Sequence, residues 1–260
     1  MSRKQERFTV SRRKKILEDI YEAGEVLISN LSKEFKVTEV TIRNDLEYLE
    51  RKHQLIRIRG GAVHSDSFVG IDQRLAEKNR LHKDEKAAIG RKAASLIREG
   101  ETIIVDSGST TAEIVKHLGG LRQLNVITNA LNIANMLTGY ANINVIIPGG
   151  YLRQNSISLV GPLAEKNLRA LYVDKLFLST DGFDTMQGIF TPNIDEAHLN
   201  AIMIDISKEV ILVTDSSKFK RRSLAFICTT DKIKTVVTDK NIPDDDRKRL
   251  ERAGVEILIS

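Results

Sequence analysis

Apolar residues in the first part of the chain recur three and four positions apart. Ile16, Ile20 and Ala23 share one face of a window from Arg12 to Ala23, which Gly24 stops. Leu31 and Phe35 do the same from Ser29 to Phe35, with Ser29 placed as a cap, and Ile42, Leu46 and Leu49 form a narrow stripe on a third window opened by Thr38 as N-cap. Lys36-Val37-Thr38 is the turn between the second and third windows, so the pattern predicts a helix-turn-helix. The period then drops to two. Leu55-Ile56-Arg57-Ile58-Arg59 alternates, places Arg57 and Arg59 on one side of a strand, and closes at Gly60-Gly61, as a β-wing would.

From His64 to Ile71 the periodicity is lost among small and polar residues, which marks a linker. Asp72 to Arg80 reads as a short charged helix and Asp84 to Arg98 as a longer one ended by Gly100. Beyond it, β-rich runs (Thr102–Asp106, Asn125–Thr128, Asn144–Ile147, Lys175–Ser179, Val210–Thr214, Lys234–Val237, Val255–Ile259) alternate with helical windows (Thr111–Leu118, Ala130–Leu137, Pro162–Leu171, Asp195–Ser207, Asp244–Arg252). Tyr151 to Val160 interrupts them as a hairpin or loop. The expected class is α/β: a winged helix-turn-helix over residues 1–62, a linker and connecting helix over 63–83, and a mainly parallel, helix-covered sheet over 84–260.

On the third window the face opposite the apolar stripe carries Val40, Thr41, Asn44, Glu47, Tyr48 and Arg51, with Arg43 at its border. Polar groups near a helix N-terminus reach base edges and phosphates in a major groove. Charge agrees: residues 1–62 hold 14 Lys and Arg against 10 Asp and Glu, most of the chain's net +5. Duplex DNA fits better than single strands or RNA, because aromatic residues are 5% of the chain and tryptophan is absent. Thr38, Val40, Thr41, Arg43, Asn44, Glu47, Arg57 and Arg59 are the candidate DNA contacts. The apolar runs are too short to span a bilayer, and the basic start lacks the apolar stretch of a secretory signal, so a cytoplasmic protein is expected. Cys228 is the single cysteine and reads as a packed residue.

In a parallel sheet, ligands sit at the carboxyl ends of the strands. There the chain places Asp106-Ser107-Gly108-Ser109-Thr110-Thr111, a run that reads either as an anion cradle lacking a P-loop lysine or as a tight turn with a helix cap. Thr128-Asn129, Gly149-Gly150, Asp181-Gly182 and Thr214-Asp215-Ser216-Ser217-Lys218 end later strands. The convergence predicts a polar small-ligand pocket. Asp106, Gly108, Ser109, Thr110, Thr111, Asn129, Gly149, Gly150, Asp181 and Lys218 are the candidate pocket residues. Lys218 also fits a solvated basic loop, and Asp195 and Glu196 fit helix-dipole compensation. His53, His64, His82, His117 and His198 are scattered without metal spacing, and no catalytic triad is evident, so neither a metal nor a cofactor is expected.

Val37-Thr38, Thr41-Ile42-Arg43-Asn44-Asp45-Leu46 and Arg59-Gly60-Gly61 resemble the N-terminal signature of the DeoR family of bacterial repressors. The resemblance extends to about residue 260 through Asp106–Thr111, Thr128-Asn129, Pro148-Gly149-Gly150, Asp181-Gly182, Thr191-Pro192-Asn193 with Glu196, and Asp215-Ser216-Ser217-Lys218-Phe219. Asn44 and the last of these runs look most like the N-acetylgalactosamine repressor group. The resemblance implies a C-terminal domain similar to ribose-5-phosphate isomerase, a phosphorylated sugar as effector, and release of operator DNA on binding it; on that footing the loop from Gly108 to Thr111 is assigned to phosphate, Asp106, Asn129 and Asp181 to sugar hydroxyls, and Lys218 to ligand charge. Most relatives carry a second arginine where this chain has Asn44, so the operator is not transferable from them; asparagine suits adenine and arginine guanine. Recognition modules of this kind act in symmetric pairs, which predicts a homo-oligomer, a dimer or tetramer. The competing readings are a sugar-phosphate isomerase or hydrolase with an accessory DNA-binding head, using Asp106, Asp181 or Asp184, and a DNA-bound protein that ignores metabolites.

Overall fold

The computed structural model describes residues 3–51, 55–64 and 72–260, and the chain divides into two compact units, Met1–Gln73 and Arg74–Ser260. The division falls inside the stretch read as linker and connecting helix, and residues 65–71 of that stretch lie outside the described ones.

The first unit runs α1 (Arg3–Ala23), β1 (Glu25–Leu27), α2 (Ile28–Phe35), α3 (Glu39–Arg51), β2 (Leu55–Ile58) and β3 (Gly61–His64). Ile16, Ile20, Leu31, Ile42, Leu46, Leu49 and Leu55 are buried together, so the three apolar stripes meet as their spacing requires. The expected third helix is capped as anticipated: the Thr41 amide donates to Thr38 Oγ1 at 3.3 Å. Two expectations need correction. The second helix starts at Ile28 behind Leu27, with no side-chain cap, and Ser29 already lies in its first turn. Arg59 is not in the strand with Arg57, because β2 ends at Ile58 and Arg59-Gly60 makes the turn into β3. A strand that sequence reading missed, β1, pairs antiparallel with β3 in the order β1-β3-β2. That pairing explains Gly61, since a Cβ there would stand 2.1 Å from the Val26 carbonyl oxygen.

The second unit opens with α4 (Leu75–Lys78) and α5 (Lys83–Ala94), then alternates: β4 (Thr102–Val105), α6 (Thr111–Val115), β5 (Leu124–Ile127), α7 (Leu131–Leu137) and β6 (Ile143–Ile146). A hairpin of β7 (Tyr151–Arg153) and β8 (Ser158–Val160) follows, then α8 (Pro162–Leu168) and β9 (Val173–Leu178). The chain continues through β10 (Gly182–Asp184), β11 (Gly188–Thr191), α9 (Ile194–Asp205), β12 (Ser207–Val213), β13 (Ala225–Cys228), β14 (Thr235–Thr238), α10 (Asp244–Arg252) and β15 (Glu256–Ile259). Seven of these strands form a parallel sheet in the order β15-β14-β12-β9-β4-β5-β6. Both faces are covered, which is why its strands read as unbroken apolar runs. Ile103, Val105, Ile211 and Val213 pack on one side, and Ile104, Leu176, Leu178 and Leu212 on the other. A small antiparallel sheet, β10-β11-β13, has no counterpart in the sequence reading; its strands are three or four residues long, too short for a period of two to show. Cys228 ends it, buried, with its thiol pushed up to about 12 by burial.

Candidate functional site

In the first unit, α3 turns Ile42, Leu46 and Leu49 inward and leaves Val40, Arg43, Asn44 and Glu47 exposed and Thr41 half-buried. Val40 is 61% exposed, a large apolar side chain with no core to join at the start of a helix. Arg43 reaches Glu39 one turn back (2.8 Å), and Arg57 reaches Glu50 from the wing, Nε to Oε2 at 2.7 Å with its amide on Oε1 at 3.1 Å. Exposed pairs of this kind contribute at most about 1 kcal/mol, so a phosphate can replace either carboxylate at little cost. Arg59 is exposed in the turn.

Asp45 was missed as a functional residue. It sits three positions after Ile42 and four before Leu49, which puts a carboxylate on the core-facing stripe. It is 2% exposed and accepts from Arg12 Nε at 2.6 Å and Arg13 Nε at 2.7 Å, while the Arg13 guanidinium lies 3.8 Å from the ring centre of Tyr48. Two guanidiniums from α1 therefore hold α3 through one carboxylate and one ring, within a turn of the exposed Asn44. The signal was available: an acid on an apolar stripe with two adjacent arginines in the first helix.

In the second unit, the strand-end residues converge in part. Asp106, at the end of β4, is buried and accepts from the Ser179 amide at 3.2 Å. Burial, then the nearby Glu196 carboxylate, pushes its carboxyl up to about 8, against the pull of the Ser179 and Ser107 amides. Asp181 pairs with Lys78; burial pushes it up, but Lys78 and Lys218, with Arg153, outweigh that and hold it below the usual carboxylate range. Asp215 is held low in the same way by Lys218 and the Ser217 hydroxyl, again against burial. Lys86 is buried, donates to the Lys78 carbonyl at 2.6 Å, and is lowered to about 8, chiefly by burial. Arg153 from the hairpin pairs with Glu196, which also accepts from Ser158 and Thr191, each at 3.2 Å. Glu196 thus turns inward instead of only compensating the α9 dipole, whereas Asp195 accepts from the Tyr151 hydroxyl at 2.5 Å. The result is one interior network of Asp106, Asp181, Asp215 and Glu196 with Lys78, Lys86, Arg153 and Lys218.

Other assigned residues are placed differently. Thr111 is fully buried and its hydroxyl donates to the Gly108 carbonyl at 3.1 Å, so it closes the turn; Ser109 and Thr110 are buried beside it. The space beside Gly108 is filled rather than open, since a Cβ there would lie 2.4 Å from Ser179 Oγ. Gly149 and Gly150 both have positive φ and turn the chain from β6 into the hairpin, where a Cβ on Gly150 would lie 2.5 Å from the Val160 carbonyl oxygen. Asn129 is buried and only weakly engaged, Nδ2 to the Leu159 carbonyl at 3.4 Å. Asn129 Oδ1 and Asp215 Oδ2 find no hydrogen-bond partner among the described residues. Asp184 stands apart: it accepts from the Met186 and Gln187 amides and from Arg222, as a turn-holding residue does. Lys78, Lys86 and Arg153 were missed. Nothing in a charged helix or a short hairpin says which cation folds inward.

The Asp106 environment has a measurable consequence. Between about pH 4 and pH 8 the unfolded chain has lost this proton and the folded one retains it, so this residue's contribution to stability falls as pH rises through that window. Asp106→Asn is expected to flatten that slope and to gain stability relative to wild type at neutral pH, read from denaturant unfolding across this range. An unchanged wild-type-minus-variant difference would show that Asp106 titrates normally.

Among the described residues, no helix is long and apolar enough to cross a membrane, and no three His, Cys, Asp or Glu side chains group as metal ligands. A winged helix-turn-helix followed by a parallel α/β unit with a charged interior site defines a DNA-binding transcriptional regulator with a sensor domain. The DeoR-like helix-turn-helix domain matches residues 12–68 and the DeoR C terminal sensor domain matches residues 81–240. The chain belongs to the DeoR family. It is 37% identical over 96% of its length, and 94% of the relative's, to an Escherichia coli O157:H7 protein named as transcriptional repressor of the aga operon. It is 33% identical to the regulator GlpR of Haloferax volcanii (95% and 96% covered) and 31% identical to GolR of Listeria innocua (97% and 99%). Among solved structures, ribose 5-phosphate isomerase A of Methanocaldococcus jannaschii is a neighbour at 18% identity, TM-score 0.39, over 53% of this chain and 54% of that one.

Proposed function

We propose that this regulator represses a carbohydrate-utilisation operon in the cytoplasm and leaves its operator when a phosphorylated sugar enters the sensor unit. The observation that carries the reading is the pair of buried acceptors, Asn129 Oδ1 and Asp215 Oδ2, that find no donor among the described residues, beside a network of four carboxyls and four cations. Buried acceptors call for a partner that donates, and with Asp106 keeping its proton the four cations face the three carboxylates of Asp181, Asp215 and Glu196, one negative charge short. A sugar phosphate has both donors and negative charge. Asp106, Asn129 and Asp181 meet hydroxyls in this scheme, and Lys218 with the backbone amides of the Gly108–Thr111 loop, whose side chains are buried, meets the phosphate, with Gly149 and Gly150 shaping the rim. Thr38, Val40, Thr41, Arg43, Asn44, Glu47, Arg57 and Arg59 contact the operator from two symmetry-related heads, residues 1–62 serving DNA and 84–260 the effector. The effector acts by favouring a conformation in which the paired heads no longer match the operator.

The test uses the full chain and duplex DNA from upstream of its own gene. A retarded complex that weakens steeply with salt is expected, and one member of a panel of pentose, hexose and hexosamine phosphates should dissolve it. The same compound at about 100 times its dissociation constant should add about 2.7 kcal/mol to native stability, measured by thermal unfolding. A panel in which nothing shifts unfolding or releases DNA would refute the effector, and absence of any shifted complex would refute the operator.

A further inference from the structure

Strand β6 ends the parallel sheet, so one edge of its backbone is offered outward. Edge strands are ordinarily guarded by charge, because an unguarded one pairs with another chain. This edge is not guarded. Between Leu124 and Ala164, in a chain that is 29% charged, the single charged residue is Arg153, and its side chain is buried on Glu196. That stretch is β5, α7, β6, the β7–β8 hairpin and the start of α8. It also exposes large apolar side chains: Ile146 and Ile147 at 41% and 45%, Leu152 in the hairpin, and Leu163 at 57% on α8, while Tyr151 turns its hydroxyl to Asp195 at the margin. Leu163 adjoins the turn that follows β6. The Leu163 side chain lies 3.7 Å from where a Cβ on Gly149 would be, and Asn167 of α8 donates to the Pro148 carbonyl at 2.8 Å.

We infer that the uncharged edge formed by β6, the Ile147–Leu152 turn and Leu163 is the surface on which a second copy of this chain docks. Charge matching selects the occupant. A polyanion or a charged peptide would gain no counter-charge here and would bury its own charges unpaired, whereas a second copy brings an equally neutral strip. A two-fold axis beside an edge strand also lets the two β6 edges meet antiparallel, each satisfying the other's open amides and carbonyls. The same patch on both subunits is what an isologous contact requires. The inference rests on the proposed pairing of reading heads and names the surface that brings it about.

Sedimentation equilibrium of the full chain tests it, with Ile146→Arg, Leu163→Glu and, as a control on the antiparallel sheet, Met186→Arg, a residue 71% exposed. Both patch positions are exposed, so circular dichroism should show wild-type fold in every variant. Wild type is expected to associate, each patch variant to weaken association by roughly a hundredfold or more, as buried like charges do, and Met186→Arg to leave it unchanged. Mixing Ile146→Arg with Ile146→Glu should restore a mixed dimer. Wild type that stays monomeric at every concentration overturns both this inference and the pairing of heads. Wild type that associates while both patch variants associate equally well overturns the surface alone, as would equal weakening by Met186→Arg.

Discussion

Replacing Asp45 with alanine is expected to unfold the reading head while the sensor unit stays folded. The carboxylate is nearly inaccessible and takes two short hydrogen bonds from the Arg12 and Arg13 guanidiniums, so truncation strands two cations against the apolar core of the head. Breaking a buried ion pair from one side costs about 3–5 kcal/mol, and the lower end applies here because Arg12 and Arg13 retain 13% and 24% of their side-chain exposure. A head of this size has only a few kcal/mol of stability in total. Thermal unfolding should therefore lose its head transition and keep that of the sensor unit, and the shifted DNA complex should vanish. Asp45→Asn preserves shape but not charge, and its loss should be smaller. A head that melts as wild type in Asp45→Ala would show that α3 is held by its apolar stripe alone.

Arg43→Ala and Asn44→Ala are each expected to cut operator preference sharply with the fold intact. Both side chains are exposed on α3, and the Arg43 contact to Glu39 is a surface pair whose loss costs little. A well-formed side-chain contact to a base edge discriminates by about 1–3 kcal/mol, or roughly 5- to 150-fold in relative affinity. Competition between the operator and unrelated duplex should show preference falling by that factor, with unfolding temperatures unchanged. Operator preference retained in both variants would remove them from the set of base readers. Arg57→Ala should instead weaken binding to all sequences alike and lower its salt dependence, as loss of a phosphate contact does.

Much of this was legible in the chain as written, for local reasons. Helical stripes and strand runs are properties of sequence spacing, so Ile42-Leu46-Leu49, the Thr38 cap and the seven β-rich runs could be read without coordinates, with element ends off by a few residues. The motif at Thr41–Leu46 carried the family. What spacing does not contain is which distant side chains share one interior. Asp45 looked like one more polar residue of the third helix until α1 placed Arg12 and Arg13 over it. Lys78 and Lys86 looked like the charge of connecting helices until they turned toward Asp181 and Asp215. The run from Gly108 to Thr111 read either as an anion cradle or as a tight turn with a cap, and nothing in its spacing says that Ser179 packs on Gly108 or that the Thr111 hydroxyl turns to the Gly108 carbonyl. The absence of charge from Leu124 to Ala164 was equally visible in the sequence, but nothing there says that this stretch forms the edge of the sheet. Periodicity determines which face of an element is apolar, because that depends on neighbours within one or two turns. Whether a buried charge finds its counter-ion and which strand is left at the edge were decided by tertiary structure, because both depend on pairs of residues far apart in the chain.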